Sequence, residues 1–419
     1  MLENISKKEI LEKSINWWNP GRVKQWKDDG IDLVIGKREG YYIYDMDGKE
    51  LMDAHLNGGT YNLGHRNPEI ISTLKTALED YDIGNHHFPS IKRAQLAEAF
   101  YKCTPSNLKY TVFSSGGGEA IDVALKSARY ATKRKKIVSI INAYHGHTGL
   151  AVSLGNERYS KPFLSQGNEE DFIHVPFNDL EAMEKALINE DVACVVIETI
   201  PATYGFPLPK NGYLSSVKQL CEKYGSLYVA DEVQIGLMRT GKLWGFENFG
   251  VEPDIFVTGK GLSGGIYPIA ATVISEKVGQ WMFEDGSAHM ATFGGTELGC
   301  IVAMKVLEIC QRQETVDNVE KVSNYLRQGL ESMMKQVPDF FVGIRQLGLV
   351  MGLEFNHPEA TKRVMRSLYN NGVWAIYSML QPTVLQFKPG LLYDTEYCDE
   401  LLSRVEKGIK EAANMAVIK

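Results

Sequence analysis

The stretch LYVADEVQIGLMRTGKLWGFENFGVEPDIFVTGKGLSGG, residues 227–265, contains two short apolar runs that end in chemically capable residues. The first run ends at Asp231 and the second leads into Lys260 between glycines. Burial at the mouth of a strand disfavours the charge of a lysine. Lys260 can simply reach the surface from a loop, or it can be held as the nucleophile of a Schiff base. A phosphate-loop lysine is excluded, because Asp254 and Gly261 stand where that motif needs glycine and Ser or Thr.

The composition is that of a globular protein with a large core. Of the 419 residues, 44% are apolar and 23% are charged, as in ordinary soluble domains. The net charge of -7 argues against a general affinity for nucleic acid or for anionic membranes. No apolar run approaches the roughly 18 residues that a membrane span needs, and the N-terminal sequence lacks the apolar core of a signal peptide.

The cysteines and histidines form no recognisable disulfide or metal pattern. The six cysteines are scattered without a close pair, which predicts reduced thiols in a cytoplasmic protein. The histidines in NHH, residues 85–87, and in HGH, residues 145–147, lack a matching set of carboxylates or thiolates. We therefore expect no metal site.

Short apolar runs alternate with amphipathic segments along most of the chain. The first forty residues are predicted to be helical, and residues 40–54 to form a hairpin that turns at Asp47-Gly48. From about residue 70, predicted helices separate the predicted strands YTVFSS, KIVSII, VACVVIE, SLYVADE and DIFVTGK. This alternation predicts an α/β fold with a mostly parallel central sheet flanked by helices. After about residue 300, a long helix and two strand-like stretches around a further helix predict a smaller α+β domain.

Polar residues follow four of the predicted strands. In parallel sheets, ligands bind at these carboxyl ends of the strands. A buried Asp231 needs a cationic partner, which can be a protonated pyridinium nitrogen, a metal or a structural salt bridge. The glycine run after YTVFSS can be a tight turn or a phosphate cradle, because glycine lets N–H groups approach a ligand at a helix N-terminus. The residues at these strand ends are Ser115, Gly116, Gly117 and Gly118, then Glu198, Asp231 and Lys260.

Tyr144 and His145 follow the strand KIVSII, in the sequence AYHGHTG. They can be ordinary packed side chains, or two flat groups that sandwich a heteroaromatic ring. A phosphate cradle, a ring stacker, a buried carboxylate and a strand-end lysine together describe the binding of one cofactor, pyridoxal 5′-phosphate. We therefore predict that the chain binds this cofactor.

Residues 227–265 resemble the signature of the class III (ornithine/ω-amino type) aminotransferases, which have pyridoxal-phosphate fold type I. The resemblance includes residue order and the 29-residue separation of Asp231 and Lys260. The segments GHRNPEI, YHGHTG, HMATFGG and IRQLGLVMGLEF are similar to family segments too, so the likeness runs from about residue 35 to 400.

The resemblance implies a role for each matching residue. Lys260 would form the Schiff base and move the substrate proton, and Asp231 would pair with the pyridinium nitrogen. Thr292, in HMATFGG, would reach the phosphate of the neighbouring subunit's cofactor, which implies a homodimer with shared active sites. The remaining cofactor-binding residues would be Ser115, Gly116, Gly117 and Gly118 at the phosphate, Tyr144 with His145 beside it, Glu198, Val233 on one ring face and Gln234 at the ring O3′.

Three departures from the family touch phosphate or substrate. Gly116-Gly117-Gly118 stands where the family usually has Ser-Gly-Ser/Thr, so a phosphate-binding hydroxyl is missing. Gln386 stands where members that grip an α-carboxylate carry arginine, and Thr203 where the family has a gating glutamate. A neutral amide replaces a bidentate arginine only with a loss of about 2 kcal/mol. Lys388 and Arg93 are other candidate cations, and Gln386 can alternatively face only the domain interface.

These inferences define an expected enzyme. We predict an N-terminal segment, residues 1–60, that packs with a small C-terminal domain, residues 306–419, and a large cofactor-binding domain, residues 61–305. We expect an aminotransferase that moves an amino group from an ω-amine, a β-amino compound or an amino sugar to a keto or aldehyde acceptor. The alternative is an amino-acid racemase or epimerase, or a phospho-lyase, since all use the same scaffold.

Overall fold

A computed structural model describes residues 5–168 and 170–415. The first four residues of the N-terminal sequence, where no signal peptide is predicted, lie outside this part. The described helices are α1 Lys7–Trp17, α2 Pro20–Asp28, α3 Leu56–Gly59, α4 Pro68–Ala77, α5 Ile91–Lys102, α6 Gly117–Thr132, α7 Ala151–Leu154, α8 Leu180–Leu187, α9 Tyr213–Lys223, α10 Trp281–Glu284, α11 Glu297–Gln311, α12 Gln313–Gln336, α13 Pro358–Asn370 and α14 Thr395–Asn414.

The strands form three sheets. They are β1 Ile35–Glu39, β2 Tyr42–Asp45, β3 Glu50–Asp53, β4 Leu108–Ser114, β5 Lys136–Ile140, β6 Phe172–Val175, β7 Val192–Glu198, β8 Leu227–Asp231, β9 Ile255–Thr258, β10 Ala270–Ser275, β11 Phe341–Leu347, β12 Val350–Phe355, β13 Val373–Trp374, β14 Ile376–Ser378 and β15 Gln381–Phe387.

The central sheet has seven strands in the order β4-β10-β9-β8-β7-β5-β6. Strands β6, β5, β7, β8 and β9 run parallel to one another, whereas β10 is antiparallel to both β9 and β4. Every residue of β7 is buried, as expected of a strand covered on both faces. Two apolar clusters fill the space between the sheet and its helices. The predicted mostly parallel α/β fold is confirmed, with one antiparallel strand that the sequence patterns did not reveal.

Helix α6 shows how the sequence builds a layer on this sheet. Its buried side chains include Ala120, Ile121, Ala124 and Leu125, which recur with helical spacing and so face the sheet on one side. Gly116 caps the helix N-terminus with extended backbone geometry. The helix therefore begins directly at the carboxyl end of β4.

The two smaller sheets join the ends of the chain. The antiparallel sheet β11-β12-β15-β14 forms from the C-terminal region, and β1-β2-β3 continues into β13. Strand β13 pairs in parallel with β3, with Val373 opposite Met52. The predicted domain boundaries stay a prediction, but this pairing joins the N-terminal segment to the C-terminal region. Within the described residues, no helix is long and apolar enough to cross a membrane.

Candidate active site

The carboxyl ends of the parallel strands bring the predicted residues to one edge of the sheet. Glu198 ends β7 and Asp231 ends β8, and the two are paired in register, while Lys260 follows β9 by two residues. They border a cavity of about 260 Å³, the cofactor-side cavity. It is lined by Gly117, Gly118, Tyr144, His145, Gly146, His147, Thr148, Glu198, Asp231, Val233, Gln234 and Lys260.

Asp231 is held by partners on both carboxylate oxygens. Its Oδ2 lies 2.7 Å from His145 Nδ1, and its Oδ1 accepts a hydrogen bond from the Val233 N–H at 3.0 Å. His145 Nε2 lies 3.2 Å from Ser139 Oγ. Burial lowers the pKa of His145, but the hydrogen bond and charge of Asp231 outweigh burial and raise it overall. The imidazole therefore fixes the Asp231 carboxylate at the floor of the cavity.

Lys260 begins a short 3-10 turn, Lys260–Ser263. Its φ of 42° lies in the left-handed region that residues other than glycine rarely occupy. Burial lowers the pKa of the Lys260 amine, although the charges of Asp231 and Glu198 oppose this effect. A Cβ at Gly58 would lie 3.2 Å from Lys260 Cε, so the glycine leaves room for the lysine side chain. A larger neutral fraction makes this amine a better nucleophile.

Glu198 is a second buried carboxyl beside Asp231. It accepts hydrogen bonds from the N–H groups of Tyr144 at 3.0 Å and Ala202 at 3.1 Å. Burial raises the pKa of Glu198 to about 7, with the charge of His145 opposing and that of Asp231 reinforcing the change. Glu198 thus holds the backbone at Tyr144, which follows β5.

The turn from β4 into α6 presents glycine backbone to the cavity. A Cβ on Gly117 would lie 3.0 Å from Val233 Cγ1, and a Cβ on Gly118 would lie 2.8 Å from Thr148 Oγ1. The Thr148 hydroxyl, which also bonds Asp122 Oδ2 at 3.1 Å, therefore occupies the space that a side chain at position 118 would need. A helix N-terminus with a hydroxyl beside it suits a phosphate group.

Aromatic side chains form one wall. The rings of Tyr144, His147 and Tyr159 meet edge to face, with centroids 4.9–5.5 Å apart. Val233 lines the same cavity. A flat ring would thus have aromatic and aliphatic groups available to contact its faces.

A second cavity of about 290 Å³, the substrate-side cavity, adjoins the first. Tyr144, His147, Gln234 and Lys260 line both cavities. The N-terminal and C-terminal parts of the chain supply much of the remaining wall. The other lining residues are Arg22, Gln25, Trp26, His55, Asn57, Gly58, Tyr159, Thr203, Ile376, Tyr377, Met379 and Gln386.

The two candidate cations of the sequence analysis lie in different places. Lys388 is 1% exposed, and its Nζ donates to Gln234 Oε1 at 2.7 Å and to Gln386 Oε1 at 2.8 Å. Arg93 instead donates to the carbonyls of Asn85 and Phe88 at 2.6 and 3.0 Å and lines a separate cavity. Lys388 thus lies behind two residues that line the cavities, Gln234 and Gln386, without lining either cavity itself, and the proposal of Arg93 as a substrate cation is not supported.

The structure places three predicted cofactor contacts, Ser115, Gly116 and His145, differently, and it does not test a fourth, Thr292. The Ser115 hydroxyl donates to Glu119 Oε2 at 2.6 Å, and neither Ser115 nor Gly116 lines the cavity. His145 lies behind Asp231 with both ring nitrogens engaged, so it is not a ring stacker. Thr292 is exposed and lies outside both cavities of its own chain. Its predicted role in a neighbouring subunit stays a prediction.

Several lining residues were missed by sequence reasoning. Gly146, His147 and Thr148 belong to the quoted segment AYHGHTG, where the alternation of glycine and side chains was the available signal. Arg22 and Tyr377 carry no local signal, because they meet only through tertiary contacts.

Comparison with known proteins identifies the family. The sequence profile described as "Aminotransferase class-III" matches residues 23–409. The chain belongs to the class III aminotransferases. An uncharacterized aminotransferase from Archaeoglobus fulgidus is 45% identical over 409 residues, which are 97% of this chain and 95% of that protein.

Solved structures of class III aminotransferases share the fold. An acetylornithine aminotransferase from Elizabethkingia anophelis superposes with a TM-score of 0.83 and 25% identity, over 97% of this chain and 100% of that one. A taurine:2-oxoglutarate aminotransferase from Bifidobacterium kashiwanohense, in complex with PLP and glutamate, gives a TM-score of 0.90 and 24% identity, over 99% and 100%. The fold is therefore the predicted fold type I.

The cofactor of this class III aminotransferase is pyridoxal 5′-phosphate, as predicted, and the cofactor-side cavity fits it. Gly117, Gly118 and Thr148 form a cradle that would hold the phosphate, the buried Asp231 carboxylate would pair with the ring nitrogen, and the Lys260 amine would attach the cofactor covalently. When bound, the cofactor withdraws electrons from the substrate carbon that loses its proton.

Proposed function

We propose that this aminotransferase takes its amino group from a donor that presents no α-carboxylate beside the reacting nitrogen: an ω-amine, a β-amino compound or an amino sugar. The observation that carries the proposal is Gln386, which lines the substrate-side cavity and is 7% exposed. A neutral amide cannot form the bidentate ion pair by which arginine grips a carboxylate. The acceptor is a keto or aldehyde compound.

A charge far from the reacting nitrogen is compatible with the same cavity. Arg22 lines it together with Lys260, and its position on α2 places it on the N-terminal part of the wall. An anionic group at the distal end of an ω-amino substrate would find a guanidinium there. Ornithine and taurine, after which two structurally similar aminotransferases are named, both carry terminal amino groups.

The proposed roles of the residues follow from their contacts. Lys260 anchors the cofactor and moves the proton, and Asp231 holds the ring nitrogen. Gln234 donates to the ring oxygen. Tyr144 and Val233 contact opposite ring faces, while Gly117, Gly118 and Thr148 bind the phosphate.

The predicted homodimer is part of the proposal. Thr292 is exposed beside Met290 and Phe293, which are 52% and 60% exposed. Apolar side chains exposed together are typical of interfaces, so this segment is a candidate for contact with a second subunit. A cytoplasmic location also stays a prediction, and all six cysteines are unpaired, which is compatible with it.

A spectroscopic screen tests the substrate proposal. The purified holoenzyme is mixed with ω-amines, β-amino acids, amino sugars and α-amino acids, and conversion of the cofactor to its amine form is followed by absorbance. We expect conversion by amines of the first three groups. Conversion by α-amino acids alone would refute the substrate proposal. Racemisation or phosphate release without cofactor conversion would favour the racemase or phospho-lyase alternative.

A further inference from the structure

Lys388 has an unusual set of partners for a buried lysine. Its side chain is almost fully buried, and its Nζ donates hydrogen bonds to two amide oxygens, those of Gln234 and Gln386. A buried cation is ordinarily offset by a carboxylate. Neither partner carries charge, so ion pairing does not explain why a lysine is kept here.

The chemistry of the amino group fixes the orientation of both amides. Lys388 Nζ has two N–H groups for these two amide oxygens even when it is neutral, and when it is protonated it has three N–H groups and no lone pair that could accept. Oε1 is the atom of each glutamine that faces Lys388, and with a protonated lysine the flipped amide would place donor against donor. The Nε2 groups are left to donate elsewhere.

Both glutamines lie at the cavities. Gln234 lines the cofactor-side and substrate-side cavities, and Gln386 lines the substrate-side cavity. A Cβ at Gly58 would lie 3.4 Å from Gln234 Oε1, so the Gly58 backbone borders this oxygen on another side. The amide of Gln234 is thus confined between Gly58 and Lys388.

The charges around Lys388 add to this arrangement. Burial lowers the pKa of Lys388 well below its ordinary value, and the charges of Lys260 and Arg239 lower it further, while that of Glu198 opposes them. Burial and then the charge of Lys388 lower the pKa of His55 to about 3. Both groups behind the glutamines are therefore biased toward their neutral forms, and the hydrogen bonds of Lys388, rather than a full charge, are what this wall offers to the two amides.

We propose that Lys388 is a positioning residue that turns Gln234 and Gln386 into hydrogen-bond donors toward the two cavities. Through Gln234 it prepares a donor for the ring oxygen of the cofactor. Through Gln386 it prepares a neutral donor for an oxygen atom of the substrate, such as a hydroxyl or carbonyl oxygen, in place of an arginine clamp. The second role rests on the proposed function, whereas the first rests only on cofactor binding.

A double-mutant cycle tests the cofactor role without measuring turnover. The dissociation constant of pyridoxal 5′-phosphate is measured by fluorescence titration of the apoproteins of wild type, Lys388→Met, Gln234→Leu and the double variant. We expect each single variant to bind about tenfold more weakly, which corresponds to the loss of one hydrogen bond. Because Lys388 acts through Gln234, the double variant should bind about as well as either single variant. Losses that multiply would overturn the proposal.

The substrate role is tested by a parallel cycle at saturating cofactor. Lys388→Met, Gln386→Leu and their combination should each raise the KM of the best amine by a similar factor, with kcat less affected. This role would be overturned if the two substitutions raise KM by factors that multiply in the double variant, or if KM does not change. The cofactor cycle could still be interpreted in either case. If the spectroscopic screen finds conversion by α-amino acids alone, the proposed function is wrong, but the expected result of the cofactor cycle is unchanged.

Two further variants separate positioning from folding. Lys388→Gln keeps one donor group at this position and should retain part of the cofactor affinity. Lys218→Met removes a lysine that pairs with Asp254 at 2.9 Å outside both cavities, and it should lower the melting temperature without changing the cofactor dissociation constant. Equal behaviour of Lys388→Met and Lys218→Met would show that Lys388 is only structural.

Discussion

Replacing Gln386 by arginine tests the substrate proposal, and because Lys388 lies beside Gln386 we expect that the single replacement is insufficient. Lys388 Nζ lies 2.8 Å from Gln386 Oε1, and both side chains are buried. A guanidinium in place of this amide would lie about 4 Å from the lysine nitrogen. Two like charges at that distance repel by about 4 kcal/mol at an effective dielectric constant of 20. Loss of the Lys388 proton limits this penalty, since the pKa of Lys388 is already lowered by burial.

The double variant Gln386→Arg/Lys388→Met removes the repulsion and leaves the arginine free. We expect Gln386→Arg alone to reduce the free energy of unfolding by up to about 4 kcal/mol, the size of this charge repulsion. The double variant should recover most of the lost stability. A charge-assisted clamp worth about 2 kcal/mol would raise kcat/KM for α-amino acids by roughly 30-fold in the double variant. The ω-amine should react more slowly, because a buried cation would face a cationic substrate.

The assay compares wild type, both single variants and the double variant. Urea unfolding gives the stabilities, and kcat/KM is measured with one ω-amine and one α-amino acid at saturating cofactor, because Lys388→Met is expected to weaken cofactor binding. A single Gln386→Arg variant as stable as the double variant would refute the predicted repulsion. The substrate proposal would be refuted if wild type already has a higher kcat/KM with the α-amino acid than with the ω-amine and the double variant is no better with the α-amino acid.

Lys260→Ala should fold, because it only shortens one side chain and leaves the backbone at φ of 42° as it is, and it should lose the borohydride-reducible link; specific trapping on another lysine would contradict this assignment. Asp231→Asn should keep the cofactor but lose at least about 100-fold in kcat, and near-normal turnover would exclude its role at the ring nitrogen. Gly118→Ser should weaken cofactor binding because the new side chain meets Thr148 Oγ1, and Thr148→Ala in the same chain should restore it; no recovery in a titration would show that the hydroxyls do not share one space. Burial raises the pKa of Glu232 from 4.5 to about 7, so the unfolded state ionises first and the free energy of unfolding should fall by about 3 kcal/mol as pH rises from 4.5 through 7. Urea titrations at pH 5 and 8 should show this contribution lost in Glu232→Gln, while that of Glu198, whose pKa burial also raises to about 7, remains; an unchanged fall in the variant would place the titrating group elsewhere.

The sequence predicted what depends on local pattern and failed where distant segments meet. The positions of Asp231 and Lys260 follow from apolar runs that must be buried strands, because parallel strands bring their carboxyl ends to one edge. The missing hydroxyl at Gly118 was visible in the sequence. That Thr148 fills the space was not, because it depends on the packing of the turn after β5 against α6.

Other parts of the site depend on the C-terminal region. Lys388 was a candidate cation, but only the fold shows that its partners are Gln234, 154 residues earlier, and Gln386. Strand β10 was missed because an antiparallel strand in a mostly parallel sheet has no distinct sequence pattern of its own. The contact of Arg22 with the substrate-side cavity likewise requires the tertiary placement of α2.

The pairing of β13 with β3 has a consequence for biosynthesis. Val373 pairs with Met52, which the ribosome adds 321 residues earlier, and the Lys388 N–H bonds the Ala54 carbonyl at 2.7 Å. At about 5–20 residues per second, β3 waits roughly 15 to 60 s for its partner. The central sheet that carries Lys260 can therefore form while the part of the substrate-side cavity that contains Gln386 has not yet been synthesised. Binding of the cofactor to a complete site is then a late event that follows synthesis. The unpaired N-terminal strands are the part of the nascent chain most in need of protection from aggregation.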